Sequence, residues 1–136
     1  MGAPSNPTPR LPHGPPFLLP DRVLDLAERR GVFEKLVAAA DPLVAPDGTL
    51  PAAFVLEAMA QGGGALLNTL GHEGFTAGYL AGVDDFRVLG AVRVGDTLRV
   101  EVEILRHVHG ATMLRGQARV GDEVVAEGRF TLAVPR

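Results

Sequence analysis

Pro51-Ala52-Ala53-Phe54-Val55-Leu56-Glu57-Ala58-Met59-Ala60-Gln61-Gly62-Gly63-Gly64-Ala65-Leu66-Leu67-Asn68-Thr69-Leu70 is the stretch that decides how this chain folds. It is too long for a strand and reads as a helix buried on every side. Thr49 stands where an N-cap is wanted, Pro51 falls in the first turn, and Gly71 is a fair C-terminal stop. Gly62-Gly63-Gly64 costs such a helix up to about 1 kcal/mol per residue against alanine. A helix keeps glycines when another backbone or a ligand comes very close. Room for an extended pantetheine arm, or tight helix-to-helix packing across a dimer, would each account for them. The only ionisable residue of the segment is Glu57, which is expensive there unless paired, protonated or in use.

The second half alternates. Leu98, Val100, Val102 and Ile104 point one way, and Thr97, Arg99, Glu101 and Glu103 the other. Leu114, Gly116, Ala118 and Val120 oppose Arg115, Gln117 and Arg119. Val124, Ala126, Phe130 and Leu132 oppose Glu123, Glu127, Arg129 and Thr131. Each run is a half-buried strand. The joints are Gly95-Asp96, His109-Gly110 and Gly121-Asp122, the last with glycine first, as a type II′ turn wants. One apolar helix followed by an antiparallel meander with one apolar face is buried most simply by wrapping the sheet around the helix. Before the helix, Asp41–Leu50 is a loop punctuated by Pro42, Pro46 and Asp47-Gly48. Arg22–Ala40 fits a helical period about as well as two strands broken at Arg30-Gly31. Residues 1–10 read as a loose Pro-rich arm, and 11–136 as a single domain.

Composition narrows the function. The 136 residues carry a net charge of −3 and no basic run, which argues against nucleic acid or an anionic membrane surface as the main partner. There is no cysteine, so thiolate metal sites, disulfides and cysteine nucleophiles are excluded. The histidines His13, His72, His107 and His109 show no zinc-ligand spacing with a third ligand, and neither a metal nor a cofactor is expected. Glu57, Gln61, Asn68 and the glycines speak against insertion of the helix segment in a membrane. The Pro-rich start lacks a signal-peptide core, so a cytoplasmic location is the expectation.

Three collinear blocks carry a likeness. Leu11-Pro12-His13 with Pro16-Phe17-Leu18-Leu19 and Asp21-Arg22-Val23, then Leu56–Gln61, then Ala81-Gly82-Val83-Asp84-Asp85-Phe86-Arg87 with Val94-Gly95-Asp96, resemble the (3R)-hydroxyacyl-carrier-protein dehydratases of the FabZ type. The resemblance implies an α+β hotdog fold, a long helix wrapped by an antiparallel sheet, and therefore strands for Arg22–Ala40. It implies an active site at a dimer interface, where one subunit supplies a histidine from a Gly-His-Phe-Pro-Gly loop and the other a helix glutamate. The glutamate maps onto Glu57. The histidine position falls on Leu43, and the motif around it is absent. The entry Gly48-Thr49-Leu50-Pro51-Ala52 is similar to that of the histidine-less dehydratase-like subunits of aryl-polyene clusters.

The candidate site is therefore Glu57 as the catalytic carboxylate, with Gln61 one turn later on the same face. Gln61 would orient Glu57 or bind a substrate carbonyl. Asp41 and Asp47 bracket the lost histidine as candidate second carboxylates, although Asp47-Gly48 is also ordinary turn chemistry. His13 is the one histidine in a family-like motif, and Gly62 is a candidate for substrate clearance. The structural alternative for Glu57 is an ion pair with Arg87. Three functions fit. The first is a dehydratase-like protein acting on acyl-carrier-protein or coenzyme A thioesters, as a homodimer or as the histidine-less half of a heterodimer with a histidine-bearing homologue. The second is a hotdog thioesterase using Glu57 with Asp41 or Asp47. The third is a non-catalytic acyl-thioester-binding or structural subunit.

Overall fold

The computed structural model describes residues 20–69 and 79–133. Strands β1 (Arg22–Leu26) and β2 (Arg30–Leu36) come first, then β3 (Thr49–Leu50) and the helix α1 (Ala52–Thr69). They are followed by β4 (Tyr79–Val88), β5 (Val92–Arg93), β6 (Thr97–Val108), β7 (Ala111–Val120) and β8 (Glu123–Ala133). Six strands form one antiparallel sheet in the order β1-β2-β6-β7-β8-β4, and β3 pairs with β5 in a separate ribbon. The helix lies across β2, β6, β7 and β8. This is the expected wrapped helix. The ambiguous N-terminal stretch is strands, turning at Ala27–Arg29 rather than at Gly31, which pairs with Val102 inside β2.

The core follows the alternation. Leu98, Val100, Val102 and Ile104 are all buried, as are Leu114, Ala118, Phe130 and Leu132. In β8 the pattern slips once: a bulge opposite Ala118 and Arg119 turns Val125 into the core and leaves Val124 half-buried. Both tight hairpins have the backbone their residues predict. Gly121 alone has positive φ in the β7–β8 turn, whereas His109 and Gly110 both do in the β6–β7 turn.

Gly62 and Gly63 of the helix are used inside this chain. A Cβ on Gly62 would come within 2.9 Å of Cδ2 of Phe33, a side chain with no exposure, and one on Gly63 within 3.1 Å of Leu114 and Leu132. The space foreseen there for a substrate arm or a partner helix is filled by the sheet. Met59 does the converse, its Sδ standing 2.8 Å from where a Cβ on Gly116 would be. Helix and sheet thus interlock, glycine facing bulk on both sides.

The helix entry differs from the sequence reading. Thr49 belongs to β3, and Pro51 immediately precedes the helix, its carbonyl accepting from the Phe54 amide at 2.9 Å. Thr49 instead donates to Asp47. Gly71 lies outside the described residues.

Gly62→Ala is expected to destabilise the fold although alanine is the better helix former. Overpacking against Phe33 costs about 1–3 kcal/mol, more than the roughly 1 kcal/mol of propensity gained. Thermal melts of Gly62→Ala, Phe33→Leu and the double variant check this. The double should be more stable than the sum of the singles implies; strict additivity would remove the contact from the account.

Candidate functional site

Successive residues of α1 turn by about 100°, which places Ala53, Glu57, Gln61, Gly64 and Asn68 on one stripe, opposite the face that Val55, Met59, Gly62 and Leu66 present to the sheet. Glu57 is half-buried. Gln61 is 2% exposed, and its Nε2 donates to Glu57 Oε1 at 3.2 Å. The i, i+4 spacing therefore does bring the two together, with the amide holding one carboxylate oxygen. Arg87, the cation considered for Glu57, is committed elsewhere: from β4 it pairs with Glu127 of β8 at 2.6 Å.

The loop around Leu43, where the family likeness sets a histidine, is built from its own bonds. Asp41 Oδ1 accepts from the Leu43 amide at 2.9 Å, and its Oδ2 receives Lys35 Nζ at 2.8 Å. Lys35 is 5% exposed, the only buried charged side chain among the described residues. Burial pushes the Asp41 carboxyl up, but the Lys35 ammonium and the Leu43 amide outweigh it and hold the group below the usual carboxylate value. Leu43 and Val44 pack against the core. A second turn follows, in which Asp47 Oδ1 accepts from both Oγ1 (2.6 Å) and N (3.0 Å) of Thr49. Those two bonds hold the exposed Asp47 carboxyl below its ordinary value. Neither aspartate is thus the free second carboxylate foreseen for it: Asp41 anchors a loop and Asp47 closes a turn. Sequence reading missed Lys35. Its signal was the parity of β2, where Phe33, Lys35 and Val37 share the core-facing side, legible only once the segment is known to be a strand.

Of the remaining candidates, His13 lies outside the described residues, as does His72. His107 and His109 are exposed on the β6–β7 hairpin, with His107 Nδ1 2.8 Å from Thr112 Oγ1. That hairpin is at the far end of β6 from the turn that adjoins the helix entry. A groove of about 460 Å³ opens beside the first turn of α1, lined by Leu50, Ala52, Val55, Leu89, Val92 and Val125 among others and by no charged side chain. Among the described residues no three His, Asp or Glu side chains cluster as metal ligands would, and no helix is long and apolar enough to cross a membrane.

Residues 5–136 match the family model described as ApeP-like, "ApeP dehydratase". The chain belongs to the ApeP-like family. It is 36% identical over 129 residues to the 3-hydroxyacyl-[acyl-carrier-protein] dehydratase FabZ of Chloroflexus aggregans, covering 91% of this chain and 90% of that protein. It is 41% identical over 132 residues to the FabZ of Desulforamulus reducens, covering 91% of each. Among solved structures, the dehydratase heterocomplex ApeI:P from Xenorhabdus doucetiae matches with a TM-score of 0.84 at 24% identity, over 94% of this chain and 90% of that one. A hypothetical thioesterase from Streptococcus pneumoniae with coenzyme A matches at 0.69 and 15% identity, over 83% and 84%. These structural likenesses establish the shared hotdog fold. The dehydratase relationship of the ApeP-like chain rests on the family and FabZ matches.

Breaking the Lys35–Asp41 pair from one side should cost about 3 kcal/mol or more, since it strands a buried charge. The effect is pH-dependent with a definite sign. The Asp41 carboxyl is depressed in the fold, so its contribution is present above the unfolded value near about 3.9 and is lost as pH falls through the lower folded value. Denaturant melts of wild type and Asp41→Asn should therefore differ at pH 7, with the difference narrowing as pH falls below about 3.9. A constant difference would mean that the pair is not what Asp41 contributes.

Proposed function

We propose that this chain is the histidine-less subunit of a dehydratase acting on 3-hydroxyacyl-carrier-protein thioesters. Its Glu57 supplies one of the two proton-transferring groups, and a histidine-bearing hotdog partner supplies the other. The observation that carries this reading is the asymmetry of the site. The helix half is intact, with Glu57 held by Gln61. The loop half is rebuilt around Lys35–Asp41, with Leu43 turned against the core. Elimination removes a proton from the carbon next to the thioester carbonyl, forms the C=C bond from that electron pair, and expels the hydroxyl as water once it is protonated. One carboxyl cannot serve both positions in the same step, so a second group is required.

Support for a partner comes from the family and from the sheet. One structural relative is the dehydratase heterocomplex ApeI:P. The β4 edge has no neighbour among the described residues on its outer side, runs ten residues, and exposes Val83 and Val88 at 40% and 55%. A free edge with apolar side chains is a surface that needs covering. The other edge, β1, is five residues with a bulge. The carrier-protein or coenzyme A thioester is the small-molecule side of this reading, and a cytoplasmic location goes with it. The thioesterase alternative loses ground because Asp41 and Asp47 are both engaged in the loop.

The test is reconstitution. Alone, the protein should dehydrate 3-hydroxyacyl thioesters about 10²–10⁴-fold more slowly than a homologue with the histidine. Mixed with a histidine-bearing partner it should form a heterodimer with restored activity, and Glu57→Gln in this chain should lower that activity by at least about a hundredfold without unfolding it. Full activity of the lone chain, or an unaffected Glu57→Gln complex, would sink the proposal. Leu43→His should not rescue the lone chain, because Asp41 and Lys35 still hold the loop against the core.

A further inference from the structure

Strand β4 is the open edge of the main sheet, and its pairing with β8 sets which way each side chain faces. Val83 is opposite the buried Phe130 and Asp84 opposite the exposed Arg129, so Val83 faces the helix side of the sheet and Asp84 its back. The longest run of β4 in regular register is Gly82-Val83-Asp84, between a bulge at Ala81 and another at Asp85-Phe86. The second bulge is built in. Asp85 has a φ of +54°, a left-handed conformation that aspartate tolerates better than most residues. Gly128 leaves room for the Phe86 backbone, since a Cβ on that glycine would fall 2.8 Å from Phe86 Cα. Asp84 is thus held on the back of the sheet, because only a one-residue slip would turn it to the other side.

The charges around it are otherwise matched. Arg87 bonds Glu127 at 2.6 Å, Arg129 bonds Asp85, and Arg115, next along on β7, stands 3.8 Å from Glu103. Of the three charged residues of β4, Asp84 alone has no hydrogen bond or ion pair among the described residues, and it is exposed.

Two copies of this chain cannot join along that edge without bringing their Asp84 side chains together. A two-fold axis that continues the sheet leaves both helix sides on one face, so a residue on the axis is opposite itself. The greatest overlap of the ten-residue strand with its own copy puts the axis at Val83 or at Asp84. With the axis at Asp84, the two carboxylates are directly opposite, roughly 5 Å apart at Cβ. With the axis at Val83, each Asp84 is opposite Gly82 of the second copy and diagonal to the other Asp84, roughly 7–8 Å away. Like charges so placed are destabilising, and the nearby Arg87, Arg115 and Arg129 already face carboxylates of their own chain.

We propose that Asp84 is a selectivity residue of the β4 edge: it turns away a second copy of this chain and favours a hotdog partner whose facing strand carries a lysine or arginine there. Charge complementarity chooses that occupant, since a cation opposite or diagonal to Asp84 answers the one charge of β4 left open. Given the histidine-bearing partner proposed above, on which this rests, that cation belongs to the partner's edge strand.

A charge reversal supplies such a partner from the chain itself. Asp84→Lys repels its own copies as wild type does, but a wild-type chain and an Asp84→Lys chain are complementary. Fluorescence-detected sedimentation compares wild type, Asp84→Asn, Asp84→Lys and a one-to-one mixture of wild type with Asp84→Lys. Glu28→Lys, in the turn between β1 and β2, is the control for a charge reversal away from β4. The mixed dimer should be at least about fivefold tighter than either homodimer, a gain that shrinks at about 0.5 M salt. Asp84→Asn should self-associate about threefold more tightly than wild type, and Glu28→Lys should give no gain in mixture. In complex with a histidine-bearing hotdog homologue that restores activity, Asp84→Lys should weaken association at least about fivefold and leave kcat of the saturated complex unchanged. A mixture no tighter than the homodimers, wild type self-associating as tightly as Asp84→Asn, or a restored complex that Asp84→Lys leaves as tight would each overturn the proposal. A charge-matched mixed dimer beside a histidine-bearing complex that Asp84→Lys weakens but that dehydrates nothing would refute the proposed function and leave the role of Asp84 standing.

Discussion

The close approach of α1 to its own sheet is the constraint on which the rest depends. Phe33 fills the space a side chain at Gly62 would need, and Met59 the space one at Gly116 would need. With helix and sheet in that contact, the rotation of α1 is fixed, because Gly62 and Gly63 must face the sheet. The opposite stripe, with Glu57 and Gln61, is thereby turned away from the sheet. Gly62 and Gly63, which looked like clearance for a ligand, are thus what aims the carboxylate. Their cost in helix propensity is offset by burial of two large side chains, each worth roughly 1.5–3 kcal/mol.

The loop before the helix is organised by one buried ion pair. A strand that ends with an inward lysine needs a buried counter-charge, and Asp41 supplies it from the following turn. The same carboxylate receives the Leu43 amide, so one side chain joins strand, turn and loop. Leu43 then contributes to packing against the core. Burying that pair has a desolvation cost, and what it secures is a single path for the loop. The helix beyond keeps its glutamate because that residue sits on a different element, held by its own neighbour one turn on.

The two faces of the sheet divide the labour. The inner face is continuous and apolar. The outer face is a grid of arginines and carboxylates whose cross-strand pairing is nearly complete over β1, β2, β6, β8 and β4 and incomplete where Arg99 meets Arg119. A solvated face tolerates that imbalance at small cost in stability. The edges differ likewise, β1 being short and bulged and β4 long and open.

The sequence by itself determined the wrapped helix, the meander and the glutamate. Period-two alternation over β6–β8 and an apolar run too long for a strand are local signals that no packing detail reverses. The sequence did not separate helix from strand over Arg22–Ala40, because apolar spacing there satisfies both periods; the family likeness was needed, and pairing of β2 with β6 is what makes it strand. Tertiary structure alone decided what the glycines face, that Asp41 answers a buried lysine and that Asp47 closes on Thr49. It alone gave Arg87 to Glu127 and set Arg99 beside Arg119. Each of these is a contact between segments far apart in the chain or a choice among several available partners. Such choices are made by register and burial, which no single stretch of residues encodes.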